Sequence, residues 1–538
     1  MITPSLHPLT KLAGLFLLPL VMHSSLQAQS VATGYVFEDA NKNQKKERRE
    51  KGLPNVAVSN GRDVVLTNSR GRYELPVDSD DIIFVIKPAH YQVALDENNL
   101  PRFYYNHKPA GSPGLKFKGV APTGPLPRSV DFALQPAKES SNFSILAFGD
   151  PQARNLVEVD YFKRGVVDEV KGKTNAVFGI SLGDQAFNDL EVNEPYKQAI
   201  RQLGLPWYNV MGNHDMNFDV QADTLSDETF EAQFGPATYS YNYGNVHFII
   251  LDNIIYPGNG KGARYSRGLR PDQLQFIEND LKMVSKDKLI VLAMHIPPDP
   301  RIGDPKNEGI QVLFDLLKDF PHSLSLSAHT HIQYQDFYGE TEGWKGSKPH
   351  HHYNVGTTSG DWYSGELNEQ GIPAATMADG TPKGYATINF TGNQYTIDYK
   401  VADKPADYHM NIWMPKVVKH GARAGGGLYV NFFMGSENDK VEFRVDDGKW
   451  RRMALAKEAD PSYAYLVMRW DLSDTLLTGN KPGKPKECRH LWSAGLPNDL
   501  EPGTHTVEVR ATDMFGRQFI QKKTYEVRVS EEKVVAGR

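Results

Sequence analysis

Short apolar runs cut by turn residues open the chain. Ala32–Phe37, Val56–Asn60, Val64–Thr67, Arg72–Pro76 and Asp81–Ile86 are rich in β-branched and aromatic residues, and strands at this spacing predict a small β-sandwich. From Phe143 the period changes. Apolar strands are predicted at Phe143–Phe148, Ala176–Leu182, Trp207–Met211, Val246–Leu251, Leu289–Met294 and Leu324–Ser327. Between them Pro271 opens a helical segment with Leu274, Ile277 and Leu281 on one face, and Ile310, Leu313, Phe314 and Leu317 repeat the pattern. Strands alternating with helices predict an α/β layered domain. It ends in a hairpin, Tyr385–Tyr399, about Thr391-Gly392-Asn393; before that, His350-His351-His352 reads as a surface loop leading into a strand at Tyr353–Val355. The remainder returns to β patterning at Leu428–Phe433, Val441–Val445, Thr504–Ala511 and Lys523–Val529, with a hinge at Gly425–Gly427 and a long insertion between Ala456 and Pro502.

Length and charge narrow the reading. At 538 residues the chain exceeds one ordinary core. The expected division is residues 29–138 as an N-terminal β-sandwich with its linker, 139–402 as the α/β core and 403–538 as a C-terminal β-sandwich. With 60 Lys+Arg against 65 Asp+Glu the net charge is −5, which supplies no field to hold a nucleic-acid backbone, so no nucleic-acid partner is expected. Lys11 precedes the apolar run Leu12–Met22, and Ser24-Ser25-Leu26-Gln27-Ala28 follows; residues 1–28 read as a secretory signal. The run is about half of the ~20 residues a membrane span needs, so no membrane span is expected. Cys488 is the sole cysteine and has no partner for an internal disulfide. The expectation is a soluble periplasmic or secreted protein; the sequence does not reveal its oligomeric state.

Candidate chemistry gathers where the apolar strands end, the place at which open α/β sheets put their sites. These positions are Gly149-Asp150-Pro-Gln152, Gly183-Asp184, Gly212-Asn213-His214-Asp215, His295 and His329-Thr-His331. Two carboxylates, two carboxamides and three imidazoles form an N/O donor set without thiol, which suits Mn²⁺, Fe or Zn²⁺. A carboxylate can bridge two metals ~3.5–4 Å apart, an arrangement that serves phosphate-ester hydrolysis. Near the N-terminus, Asp39, Asn41 and Asn43, with Glu50 at the twelfth position, have the ligand spacing of a calcium loop. Gln44 stands where such a loop has Gly and basic residues crowd the segment, so a solvated turn competes with calcium there. Trp362 and Tyr363 in Thr357–Tyr363, and Arg264 in a Gly-bounded loop with Tyr265 and Arg267, are candidates for a substrate rim; packing and solvated loops are the competing readings.

The ordered series Asp…Gly-Asp…Gly-Asn-His-Asp…His…His-x-His is similar to that of the calcineurin-like metallophosphoesterases over residues 143–335. The resemblance implies a layered α/β sandwich. One divalent ion would be held by Asp150, Gln152, Asp184 and His331, and a second by Asp184, Asn213, His295 and His329, with Asp184 bridging. His214 falls where the family steadies the phosphoryl oxygens and protonates the leaving group, with Asp215 orienting it. The implied activity is hydrolysis of small phosphate esters by a metal-bound hydroxide. Gln152 replaces an imidazole of many members, which favours Mn²⁺ or Fe over Zn²⁺. Phe187 stands where purple acid phosphatases place a tyrosinate and cannot ligate, and Ala328 replaces a Gly before His329. Residues 32–90, with Gly34–Phe37, Gly52-Leu53-Pro54 and Gly71-Arg72-Tyr73, resemble the SdrD-type B-like repeat of bacterial surface proteins. The Asp-Pro-Gln opening looks like the branch with manganese-dependent ADP-ribose/CDP-alcohol diphosphatases, and the flanking modules resemble an exported bacterial group. Two alternatives stay open: a phosphodiesterase or pyrophosphatase acting on nucleotides or nucleotide-sugars, and a non-enzymatic surface-binding protein with a vestigial site.

Overall fold

The computed structural model describes residues 30–258, 264–301, 308–422 and 427–530; the expected signal at 1–28 and Gly425 and Gly426 of the expected hinge lie outside them. Two sheets form the core. One runs in the order Trp207–Asn209, Phe178–Ser181, Asn142–Phe148, Gly384–Thr391, Gln394–Val401. Its first three strands are parallel and the last two are the antiparallel hairpin. The other runs Tyr239–Tyr243, Val246–Leu251, Leu289–Met294, Ser323–Ser327, His350–Asn354, Tyr334–Tyr338, with a parallel centre and antiparallel edges.

Side-chain period explains the layering. Along Asn142–Phe148, Ile145 and Ala147 join a core shared with Phe248, Ile250 and Leu292 of the second sheet, while Leu146 and Phe148 point the other way, to Phe162, Tyr196 and Trp207. Val246–Leu251 and Leu289–Met294 are buried at every position, as their unbroken apolar sequences require of strands covered on both faces. Helices Leu156–Phe162 and Asn193–Ile200 cover the first sheet, and Pro271–Leu281 packs with Glu308–Leu317 beside the second.

The expected His350–His352 loop is instead a buried strand, His350–Asn354. Each imidazole finds partners for both nitrogens. His350 bonds Ser323 and Ser325, His352 bonds Ser325 and Ser327, and His351 bonds Tyr395 and Gln335. Burial keeps His350 and His351 neutral, with pKa values lowered to about 3. Three polar residues in a row look like a loop only while the serines at alternate positions of the adjacent strand are left out of account.

Residues 30–136 form two four-stranded sheets. Glu139 ties this region to the core. Its carboxylate accepts from Lys87 Nζ at 2.7 Å, His90 N at 2.8 Å and Gly244 N at 2.9 Å. Residues 410–528 form a four-stranded and a five-stranded sheet. The stretch between Ala456 and Pro502, expected as one long insertion, contains a helix, Pro461–Asp471, capped by Asp460 accepting from Ser462 N, and then the strand Leu491–Gly495 of the four-stranded sheet. Among the described residues no helix is long and apolar enough to cross a membrane.

Candidate metal centre

The site lies just past the carboxyl ends of five parallel strands, reached at Asp150, Asp184, Asn213, His295 and His329. The glycines of its motifs are there for space. A Cβ on Gly183 would sit 2.4 Å from His295 Nδ1, and one on Gly212 would sit 2.1 Å from Asp184 N. Five of the expected ligands adopt left-handed backbone: Asp150 (φ 36°), Gln152 (40°), Asp184 (51°), His329 (67°) and His331 (51°). Such conformations cost about 1–3 kcal/mol each for a non-glycine residue and collect at functional sites.

Backbone contacts fix one side of Asp150, Asp184, His295 and His331 and leave the other turned inward. Asp150 Oδ2 accepts from His329 N at 2.9 Å, and His331 Nδ1 bonds Gly360 O at 2.7 Å. His295 Nδ1 bonds Leu182 O at 2.8 Å, which presents Nε2 to the centre. Asp184 Oδ1 accepts from His214 N at 2.8 Å, and its Oδ2 lies 2.7 Å from Gln152 Nε2 and 3.3 Å from His295 Nε2. His295 Nε2 is also 3.0 Å from Asn213 Oδ1 and 3.2 Å from His329 Nδ1. Asp184, His295 and His329 each offer a ligand atom within 4.8 Å of the others.

Three inward atoms are buried with no hydrogen-bond partner: Asp150 Oδ1, Gln152 Oε1 and His331 Nε2. These belong to the three residues expected, with Asp184, to hold one ion. Asp150 Oδ1 lies 3.8 Å from His331 Nε2 and 4.0 Å from His295 Nε2. Two carboxylates with almost no exposure, three imidazoles and two carboxamides facing one another need cationic charge between them, so the donor set fits metal. Burial lowers the pKa values of His329 and His331 to about 3 and about 4, leaving both as the neutral donors that metal requires. Burial raises Asp150 to about 7; burial also opposes charge on His295, but Asp184 and Asp150 outweigh it and raise that imidazole to about 9.

His214 is half-buried beside this set. Its Nδ1 bonds Asn188 Oδ1 at 2.7 Å, and its ring stacks on Phe187 at 4.3 Å. Asp215 does not orient it. That carboxylate is buried and accepts from Ala186 N at 3.1 Å and Gly212 N at 2.8 Å, so it braces the Gly-Asp and Gly-Asn loops against each other. The partner that sequence reasoning missed is Asn188, four residues past Asp184; its signal was a polar residue directly after Phe187.

The rim candidates separate. Trp362 is 37% exposed and stacks on His331 at 4.4 Å. Tyr363 is buried, its hydroxyl bonding Pro151 O, and so forms part of the support beneath the site rather than the rim. Arg264 is exposed, and Tyr265 lies 6.1 Å from His329. In the candidate calcium loop, Asp39 accepts from Asn43 N and Gln44 N, and Glu50 accepts from Ala40 N and Glu47 N. Asn41 and Asn43 both donate to Glu47. The turn's own backbone thus engages the carboxylates there.

Three family models match the chain. Calcineurin-like phosphoesterase matches residues 143–333, the N terminal of calcineurin-like phosphoesterase matches 39–120, and the C terminal of calcineurin-like phosphoesterase matches 352–519. A search of curated proteins by sequence finds no match. Among solved structures, a purple acid phosphatase from yellow lupin (Lupinus luteus) seeds is similar at 12% identity and a TM-score of 0.35, over 65% of this chain and 67% of that one. So low a score places no residue by analogy. The three matches, spread over the core and both flanking regions, show that the chain belongs to the calcineurin-like phosphoesterases, metal-dependent hydrolases of phosphate ester bonds.

Proposed function

We propose that the protein hydrolyses small phosphate esters at a dinuclear centre, outside the cytoplasm. One ion would be held by Asp150, Gln152, Asp184 and His331, the other by Asp184, Asn213, His295 and His329. When bound, the ions supply Lewis-acid charge at the phosphoryl oxygens and make a water nucleophilic near neutral pH. The chain's own residues do the rest. Asp184 is positioned to serve both ions because its Oδ2 already faces Gln152 and His295. His214, its Nδ1 engaged by Asn188, has Nε2 left to carry a proton to the leaving-group oxygen. Phe187 covers one face of that imidazole, and the Asp184 contact holds its backbone.

The observation that carries the proposal is the set of three buried, partnerless atoms on Asp150, Gln152 and His331. Export is supported by the basic-then-apolar N-terminus. The test is metal content per chain after reloading metal-free protein with Mn²⁺, Fe²⁺ or Zn²⁺. The expected result is two ions in the native chain, one in His331→Ala and none in Asp184→Ala. A native chain that takes up no ion from any of the three overturns the proposal.

A further inference from the structure

The loop carrying Trp362 is held by the C-terminal region. Trp362 and Tyr363 both take left-handed backbone, with φ of 49° and 53°, which a non-glycine residue keeps only where its surroundings hold it. The preceding residue provides the hold. Asp361 Oδ2 accepts from Gly483 N at 2.6 Å and from Tyr463 Oη at 3.3 Å, both in the insertion between Ala456 and Pro502. Position 483 has little room for a side chain, since a Cβ there would lie 2.7 Å from Asp361 Oδ2. Two residues past Tyr363, Gly365 N donates to Asn480 O at 2.7 Å, and Lys486 N donates to Ala378 O at 2.9 Å. The insertion is therefore laid along the rim of the metal centre.

Its placement brings two groups to that rim. The Trp362 indole lies on His331 with ring centres 4.4 Å apart and planes at 29°, and remains 37% exposed. Lys486 is exposed, and its Nζ donates at 3.0 Å to the carbonyl of Thr330, the residue between His329 and His331. An ammonium has three donors, so an anion at the rim can share it. An indole with one face on an imidazole has its remaining surface available to a flat ring.

We propose that Trp362 and Lys486 form a leaving-group subsite, selecting phosphate esters whose leaving group carries a planar ring bearing negative charge. This rests on the reading of the centre as a phosphoester site. It also gives the C-terminal region a part in substrate selection beyond packing.

The test is calorimetric binding of three inert phosphonates to full-length, Mn²⁺-loaded protein: methylphosphonate, phenylphosphonate and 4-phosphonobenzoate. The native chain is expected to prefer phenyl over methyl by roughly 5- to 150-fold, the range for one stacked ring. Trp362→Ala should bring that ratio close to one, and Trp362→Phe should keep most of it. Lys486→Met should preserve the phenyl preference but remove the advantage of 4-phosphonobenzoate over phenylphosphonate, expected to be up to about 5-fold for an exposed ion pair, while Lys486→Arg retains it. Both ligands of each ratio are measured on the same variant, so partial metal loss cancels. A native ratio near one, or a ratio that survives Trp362→Ala, overturns the subsite and leaves the phosphoester reading standing. An advantage of 4-phosphonobenzoate that survives Lys486→Met overturns the role of that lysine. If no phosphonate binds the metal-loaded chain, the phosphoester reading falls and the subsite with it.

Discussion

The contact between Asn188 and His214 allows the proton-donor role to be tested separately from metal binding. Asn188→Ala removes the acceptor 2.7 Å from His214 Nδ1. It leaves the Phe187 stack at 4.3 Å and the 2.8 Å bond from His214 N to Asp184. With His214 protonated the bond to Asn188 is charge-assisted and worth about 1.5–3 kcal/mol, or roughly 13- to 160-fold in rate. Loss of a whole general acid costs about 10²–10⁴-fold. Asn188→Ala should therefore cost less than His214→Ala does. The leaving group sharpens the test. An alkoxide needs a proton as it departs, whereas p-nitrophenolate does not, so both losses should appear with glycerol 2-phosphate and largely vanish with p-nitrophenyl phosphate. The assay is kcat for both substrates in native, Asn188→Ala and His214→Ala proteins, with metal content measured on each. Equal losses on the two substrates, or a loss in Asn188→Ala as large as that in His214→Ala, would refute the reasoning.

Other consequences follow from packing and charge. Gly212→Ala places a Cβ 2.2 Å from Asp184 Oδ1 and should abolish metal uptake while the far-ultraviolet circular dichroism stays native. Glu139→Ala strands a buried ammonium on Lys87 together with two backbone donors, and should destabilise by about 3–5 kcal/mol in urea titration. Pairing Lys87→Met with Glu139→Leu should recover only the part due to the stranded ammonium, since His90 N and Gly244 N still lack their acceptor. Burial lowers the pKa of Lys383 to about 8, against an ordinary 10.5. The unfolded chain then binds the extra proton between those values, so this lysine's penalty is full below pH 8 and fades as pH rises to 10.5. Lys383→Met should be more stable than the native chain at pH 7 by up to about 3 kcal/mol, with the difference shrinking by pH 10. A difference independent of pH would show that Lys383 is not the cause.

Much of the centre was legible because its chemistry sits at strand ends that announce themselves. Unbroken apolar runs such as Leu289–Met294 locate the ends, and a histidine or a Gly-Asp directly after one has a single direction to face. The glycines at 183 and 212 were legible as motif members, but the reason for them, contact with His295 and Asp184, needed coordinates. What escaped depends on pairings between distant strands. Nothing local says that His350 and His352 lie against Ser323, Ser325 and Ser327, which come from a strand about 27 residues earlier. The partner of His214 escaped for a related reason. Asp215 is adjacent in sequence but turns its carboxylate to the backbone of Ala186 and Gly212, and Asn188 reaches the ring from the neighbouring strand's loop. Tyr363 looked like its neighbour Trp362 until the left-handed turn at both residues sent one ring inward and the other to the rim.

The central claim is that this centre hydrolyses phosphate esters through bound metal. Its most direct test is release of p-nitrophenol from p-nitrophenyl phosphate and bis-p-nitrophenyl phosphate by metal-free protein reloaded with Mn²⁺, Fe²⁺ or Zn²⁺, with His295→Ala beside it. Metal-dependent release that disappears in the variant is the predicted result. Release that survives in His295→Ala, or a fully reloaded native chain that hydrolyses neither these nor any other phosphate ester, would contradict the account.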